Sequence, residues 1–101
     1  MLYLPTDEAI ETIDREHLLT LHYSHDDVLA GHPAEQQRRL HDAERAAQLT
    51  NAHDNKTTIY FRTSDGHAKR VRAKVLTAHS QYLTLKGDIN LPLRAVLGID
   101  H

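Results

Sequence analysis

Cysteine is absent from this chain, as is tryptophan, and phenylalanine and methionine occur once each. Without cysteine there are no disulfides, no thiolate metal ligands and no cysteine nucleophile. No stretch approaches the ~18 consecutive apolar residues that a membrane-spanning helix needs. The opening MLYLPTDEAI has no basic segment leading into an apolar one. Neither a secretory leader nor a membrane anchor is expected, and the cytoplasm is the expected compartment. Four glycines are too few and too scattered for a phosphate-cradling loop. Ser24, Ser64 and Ser80 lie in no Gly-x-Ser-x-Gly elbow, and no His-Glu-x-x-His signature occurs. An enzyme is therefore not expected, and no cofactor is called for.

What the sequence does have is alternation. Between residues 57 and 100 apolar side chains recur at every second position in successive short runs, the period of a sheet with one buried face. Ile59, Phe61, Val71, Ala73, Val75, Leu83, Leu85, Ile89 and Leu91 form the expected core set. Ser64-Asp65-Gly66 and Gly87-Asp88 supply turns. Pro92 cannot donate to a ladder, so the fourth run is expected to stop there, with a helical turn at Leu93-Arg94-Ala95 and a fifth strand over 96–100. Five strands with that turn before the last resemble the layout of an SH3-like or Sm-like barrel, strongly bent and antiparallel.

The first half reads as helical. Thr6 and the acidic Asp7 and Glu8 suit a helix start, and Ile10, Ile13, His17 and Leu21 make one stripe over residues 7–22. Ser24, with an acidic residue three positions on, is expected to cap a single turn through Val28 and Leu29 that Gly31 ends. Pro33 opens a second helix of good helix formers reaching Thr50 and Asn51, with a narrow stripe of Leu40, Ala43, Ala47 and Leu49. The expected fold is thus α+β: a single domain over residues 1–101, an N-terminal helical hairpin within 1–55 followed by a five-stranded SH3-like or Sm-like barrel within 56–101.

The C-terminal run Val71-x-Ala73-x-Val75, followed by YLTLKGDINLPLRAVLGID over 82–100, resembles the C-terminal half of the bacterial YolD-like proteins. That resemblance covers less than half of the chain, and the N-terminal half has no counterpart of that family's opening segment. It implies a small non-enzymatic protein of the bacterial cytoplasm, associated with translesion polymerases and DNA repair. No site residue follows from it.

Charge is divided between the halves. Residues 1–55 carry 11 acidic and 4 basic side chains, a net −7, and residues 56–101 carry 3 and 8, a net +5. Either the halves face each other or the basic half serves an anionic partner. Arg62, Lys69, Arg70, Arg72, Lys74 and Lys86, interleaved with Tyr60 and Tyr82, form a candidate nucleic-acid-binding stripe that pairs phosphate neutralisation with base stacking. Alternatively, the acidic helices cover it. Nine histidines raise a metal question, most densely at His22, His25, Asp26 and His32, although the expected helix breaks between the first two. His25-Asp26 and His41-Asp42 echo the dipeptide of HD-type phosphohydrolases, which need more converging helices than two. The functional expectation is a binding or adaptor module acting through a protein partner or self-association along the alanine stripe. The alternative is nucleic-acid binding through the basic face.

Overall fold

The alternation between 57 and 100 becomes strand. The computed structural model describes residues 10–100. In order these form β1 (Glu11–Ile13), a 3-10 turn (Arg15–Leu19), α1 (Pro33–His53), β2 (Thr57–Arg62), β3 (Ala68–Ala73) and β4 (Val75–Ala78). Then follow β5 (Tyr82–Leu85), β6 (Ile89–Pro92), a second 3-10 turn (Leu93–Ala95) and β7 (Val96–Asp100). Gly66, at φ 89°, turns β2 into β3. Every residue of the expected core set is buried, at no more than 5% exposure.

The barrel does not form. The strands make two sheets, β1-β3-β2-β7 and β4-β5-β6, with no ladder joining them among the described residues. The physical cause lies at the two crossings. The alternating run that carries Val71, Ala73 and Val75 breaks at Lys74, so β3 and β4 belong to different sheets. At the other crossing Pro92 and the 3-10 turn take the backbone out of its ladder, and β7 pairs antiparallel with β2. The sheets are held together through their inner faces, where Phe61, Ile59, Val71, Val75, Leu83, Leu85, Leu91 and Val96 share one cluster with Ala43 and Ala46 of α1. Burying each large side chain of this kind contributes about 1.5–3 kcal/mol.

The helical hairpin is also absent, because α1 is the one α-helix among the described residues. The helix expected over 7–22 gives way to β1, which pairs parallel with β3, and to the first 3-10 turn. β3 would otherwise present an open row of backbone groups, and Thr12 and Ile13 are β-branched residues suited to that edge. Leu18 is buried from this segment, whereas Leu19 is 70% exposed. The cap expected at Thr6 lies outside the described residues. Ser24 accepts a bond from the Asp26 amide, but Asp27 organises the turn: its Oδ1 takes the Leu29 amide at 2.8 Å and its carbonyl takes that of Ala30.

Helix α1 packs on β4 and β7. It runs beyond Asn51 to His53 and ends where Asp54 adopts left-handed backbone, φ 56°. Its buried face is Arg39, Ala43, Ala46 and Thr50, which places a charge where the sequence suggested Leu40. Arg39, 5% exposed, grips Asp27 with both terminal nitrogens, at 2.8 and 2.7 Å, and Nη1 also donates to the Val96 carbonyl at 3.0 Å. Partial burial pushes the Asp27 carboxyl up, but the bond from Arg39, the Leu29 amide, the Arg39 charge and Gln36 outweigh it and hold the group below its ordinary value.

Removing one partner of such a pair strands the other charge in the interior. Asp27→Asn is expected to lower stability at neutral pH by about 3 kcal/mol, the lower end for a broken buried pair, because the carboxylate keeps 27% exposure. Since the folded carboxyl titrates below its unfolded value of about 3.9, the contribution is present above that pH and is lost as pH falls through it toward the folded value. Urea denaturation of parent and variant measures both effects. A difference within about 0.5 kcal/mol at pH 7, the range of a neutral surface change, contradicts them.

Candidate anion-binding cleft

The basic stripe begins on β3, whose outward positions carry Arg70 and Arg72 opposite Tyr60 and Thr58 of β2. Helix α1 packs on β4 and β7 and meets the stripe at its end, where its capping residue Asp54 stands against Lys74. Strand β1 also takes part of it. In the parallel register Glu11 stands beside Lys69 and Thr12 beside Arg70. Lys69 Nζ meets Glu11 Oε1 at 2.8 Å, and Arg70 Nε donates to Thr12 Oγ1 at 2.6 Å. The Lys69 hydrogen bond and charge hold the Glu11 carboxyl below its ordinary value. Arg62 donates to the Gly66 carbonyl and so braces the hairpin turn. Tyr60 is half-buried in a small second cluster with Leu29, Ala68 and Leu97. Tyr82 lies in the other sheet, 39% exposed and stacked on His79 with ring centroids 4.3 Å apart. The eight stripe residues therefore do not make one surface.

Three of them do converge. Arg72, Lys74 and Lys86 line a cleft of about 510 Å³ together with Arg15 and Lys56, which sequence reasoning had not placed there. Residues 12–16 form its opposite wall. The chain builds this site at the Lys74 break: β3 delivers Arg72, the break delivers Lys74, and the turn after β5 brings Lys86 alongside through a bond from its amide to the Lys74 carbonyl, 2.9 Å. Arg15 reaches the same turn, with Nε 3.8 Å from where a Cβ on Gly87 would stand. Local sequence held no signal for Arg15 beyond its charge, since its wall is made by a segment that looked helical. Lys56 sits in the connector before β2 and became legible only once α1 ended at His53.

The lining carries five cations and the carboxylates of Asp14 and Glu16, and Asp54 stands against Lys74, which leaves a local excess of two positive charges. Arg15 is partly satisfied by Glu16 at 3.4 Å. Lys74, 16% exposed, is held by Asp54 Oδ1 at 2.7 Å, and its hydrogen bond and charge keep that carboxyl below its ordinary value. Among the described residues no carboxylate stands within ion-pairing distance of Lys56, Arg72 or Lys86, all of them exposed. Such a cleft raises the local concentration of anions and offers phosphate or carboxylate oxygens several donors at once.

The histidines do not gather. His22, His25 and His32 are exposed, and among the described residues no three His, Asp or Glu side chains form a group able to hold a metal ion. Compared with protein-family models, curated proteins and solved structures, the chain matches none. Among the described residues no helix is long and apolar enough to cross a membrane.

Calorimetric titration of the full chain with zinc is expected to find no stoichiometric site at these histidines. An equimolar complex that disappears on His25→Ala/His32→Ala contradicts that expectation.

Proposed function

We propose that this protein is a small non-enzymatic binding module of the cytoplasm whose ligand is a polyanion, nucleic acid in the first instance, held at the cleft of Lys56, Arg72 and Lys86. One observation carries the proposal: three exposed cations with no carboxylate within ion-pairing distance among the described residues share a single concave site. The phosphodiester backbone is the ligand best matched to it, because neutralising phosphates releases condensed counterions whatever the base sequence. The resemblance of residues 57–100 to the YolD-like proteins points the same way. Base stacking has little part in this mode, with Tyr60 half-buried and Tyr82 in the other sheet. The motive for self-association along the alanine stripe is weakened, because Ala43 is buried in the chain's own core and Leu40 and Ala47 pack against it.

Three phosphate contacts on a single strand give a slope of about −2 in the logarithm of affinity against that of salt, so that going from about 50 to 200 mM salt weakens binding roughly 20-fold. Fluorescence anisotropy with a labelled single-stranded oligonucleotide measures this. Arg72→Ala/Lys86→Ala is expected to reduce the slope to about −0.7. Absence of binding at low ionic strength, or an affinity indifferent to salt and to these substitutions, overturns the proposal.

A further inference from the structure

A second cleft, sharing no lining residue with the first, lies where α1, the 27–31 turn, the β4–β5 turn and the second 3-10 turn meet. It encloses about 280 Å³ and is lined by Asp27, Arg39, Ser80, Gln81, Leu93 and Arg94. That volume lies just below the ~300–1,000 Å³ of ordinary small-molecule sites, so it suits a group the size of one residue.

Its chemistry is one-sided. The carboxylate of Asp27 is already taken, by two nitrogens of Arg39 and by the Leu29 amide. Arg39 Nε is the one buried side-chain polar atom without a hydrogen-bond partner among the described residues. Arg94 spends Nε on the Ser24 carbonyl at 2.7 Å, which fixes the plane of its guanidinium and leaves its terminal nitrogens without a protein acceptor among the described residues. Ser80 and Gln81 are exposed at the rim. Arg94, Ser80 and Gln81 thus offer donors, while the one ionised acceptor is occupied, and the lining carries a net charge of +1 from two arginines and one aspartate.

We infer that this cleft is a binding site for a carboxylate, with the Arg94 guanidinium as its principal donor. A fixed planar guanidinium matches a carboxylate through two parallel hydrogen bonds. A single net positive charge suits a monoanion, whereas the Asp27 oxygens repel the second charge of a phosphate dianion. The carboxylate comes either from a chain terminus or from an acidic side chain of a partner.

The test is a titration of the full ¹⁵N-labelled chain, followed by NMR, with N-acetylglycine, with N-acetylglycinamide, with an N-acetylglutamate residue amidated at its α-carboxyl, and with inorganic phosphate. Saturable shifts at Ser80, Gln81 and Arg94 are expected with N-acetylglycine, the blocked glutamate or both, and none with N-acetylglycinamide. Preference for N-acetylglycine assigns a chain terminus, and preference for the glutamate an acidic side chain. Arg94→Gln is expected to weaken binding at least tenfold and Ser80→Ala/Gln81→Ala several-fold, with exposed Arg38→Gln as the unchanged control. The double variant carries the test should Arg94→Gln not fold. No saturable shift, equal binding of N-acetylglycinamide, tighter binding of phosphate, or affinity unchanged in a folded Arg94→Gln or in the double variant overturns the assignment.

Discussion

The Arg39 guanidinium sits at the junction of three chain segments and ties them with charge rather than with apolar contact. Its bonds run to Asp27 in the turn that precedes α1 and to the Val96 carbonyl at the start of β7, so helix, turn and edge strand share one anchor. Asp27, with Arg39 on one side, holds the Leu29 amide on the other, which sets Leu29 against Ala68 and Leu97 in the second cluster. The same turn is linked to the second 3-10 turn through the Val28 amide and the Arg94 carbonyl. Burying a charge costs several kcal/mol unless it is paired and hydrogen-bonded, so the pairing favours the arrangement in which the terminal nitrogens of Arg39 meet Asp27 and the Val96 carbonyl. The positions of α1 and of the 22–31 segment follow from it.

The β half was largely legible because its signal is short-range. Alternation, Gly66, the Gly87-Asp88 turn and the stop at Pro92 all act within a few residues, and the strands and the 3-10 turn appear at 57–62, 82–85, 89–92, 93–95 and 96–100 as those signals indicate. The sheets' separation was not legible. Alternation continues across Lys74 without interruption, since Ala73 and Val75 are both buried, and only the tertiary arrangement shows that the ladder changes there. The N-terminal segment failed for a different reason. Ile10, Ile13, His17 and Leu21 fall at helical spacing, but the open edge of β3 offered Glu11–Ile13 a ladder, a competitor that periodicity within the segment does not contain.

The candidate site divides along the same line. Arg72, Lys74 and Lys86 were legible as cations on a strand face and a turn. Their separation from Lys69 and Arg70 depends on the β1 register, which is non-local, whereas Arg62 is drawn aside by the nearby Gly66 carbonyl. Lys69 meets Glu11 of β1 and Lys74 meets Asp54 at the end of α1, so the charged halves do touch, at a strand as well as at a helix end. The excess positive charge then concentrates at the fold's own discontinuity, where the Lys74 break and the turn at Lys86 meet. A fold with an apolar interior and five cations gathered at one break presents a concave, electrostatically focused surface there.

Whether the proposed polyanion sits at this break is read most directly by NMR. Amide chemical shifts of the ¹⁵N-labelled chain, recorded during titration with a short single-stranded oligonucleotide at low salt, locate contact residue by residue. Binding at the cleft gives the largest changes at residues 12–16, 56, 72–74 and 86, with α1 and the Arg94 cleft left quiet. Changes confined to α1, or centred on Tyr82 and His79, contradict it.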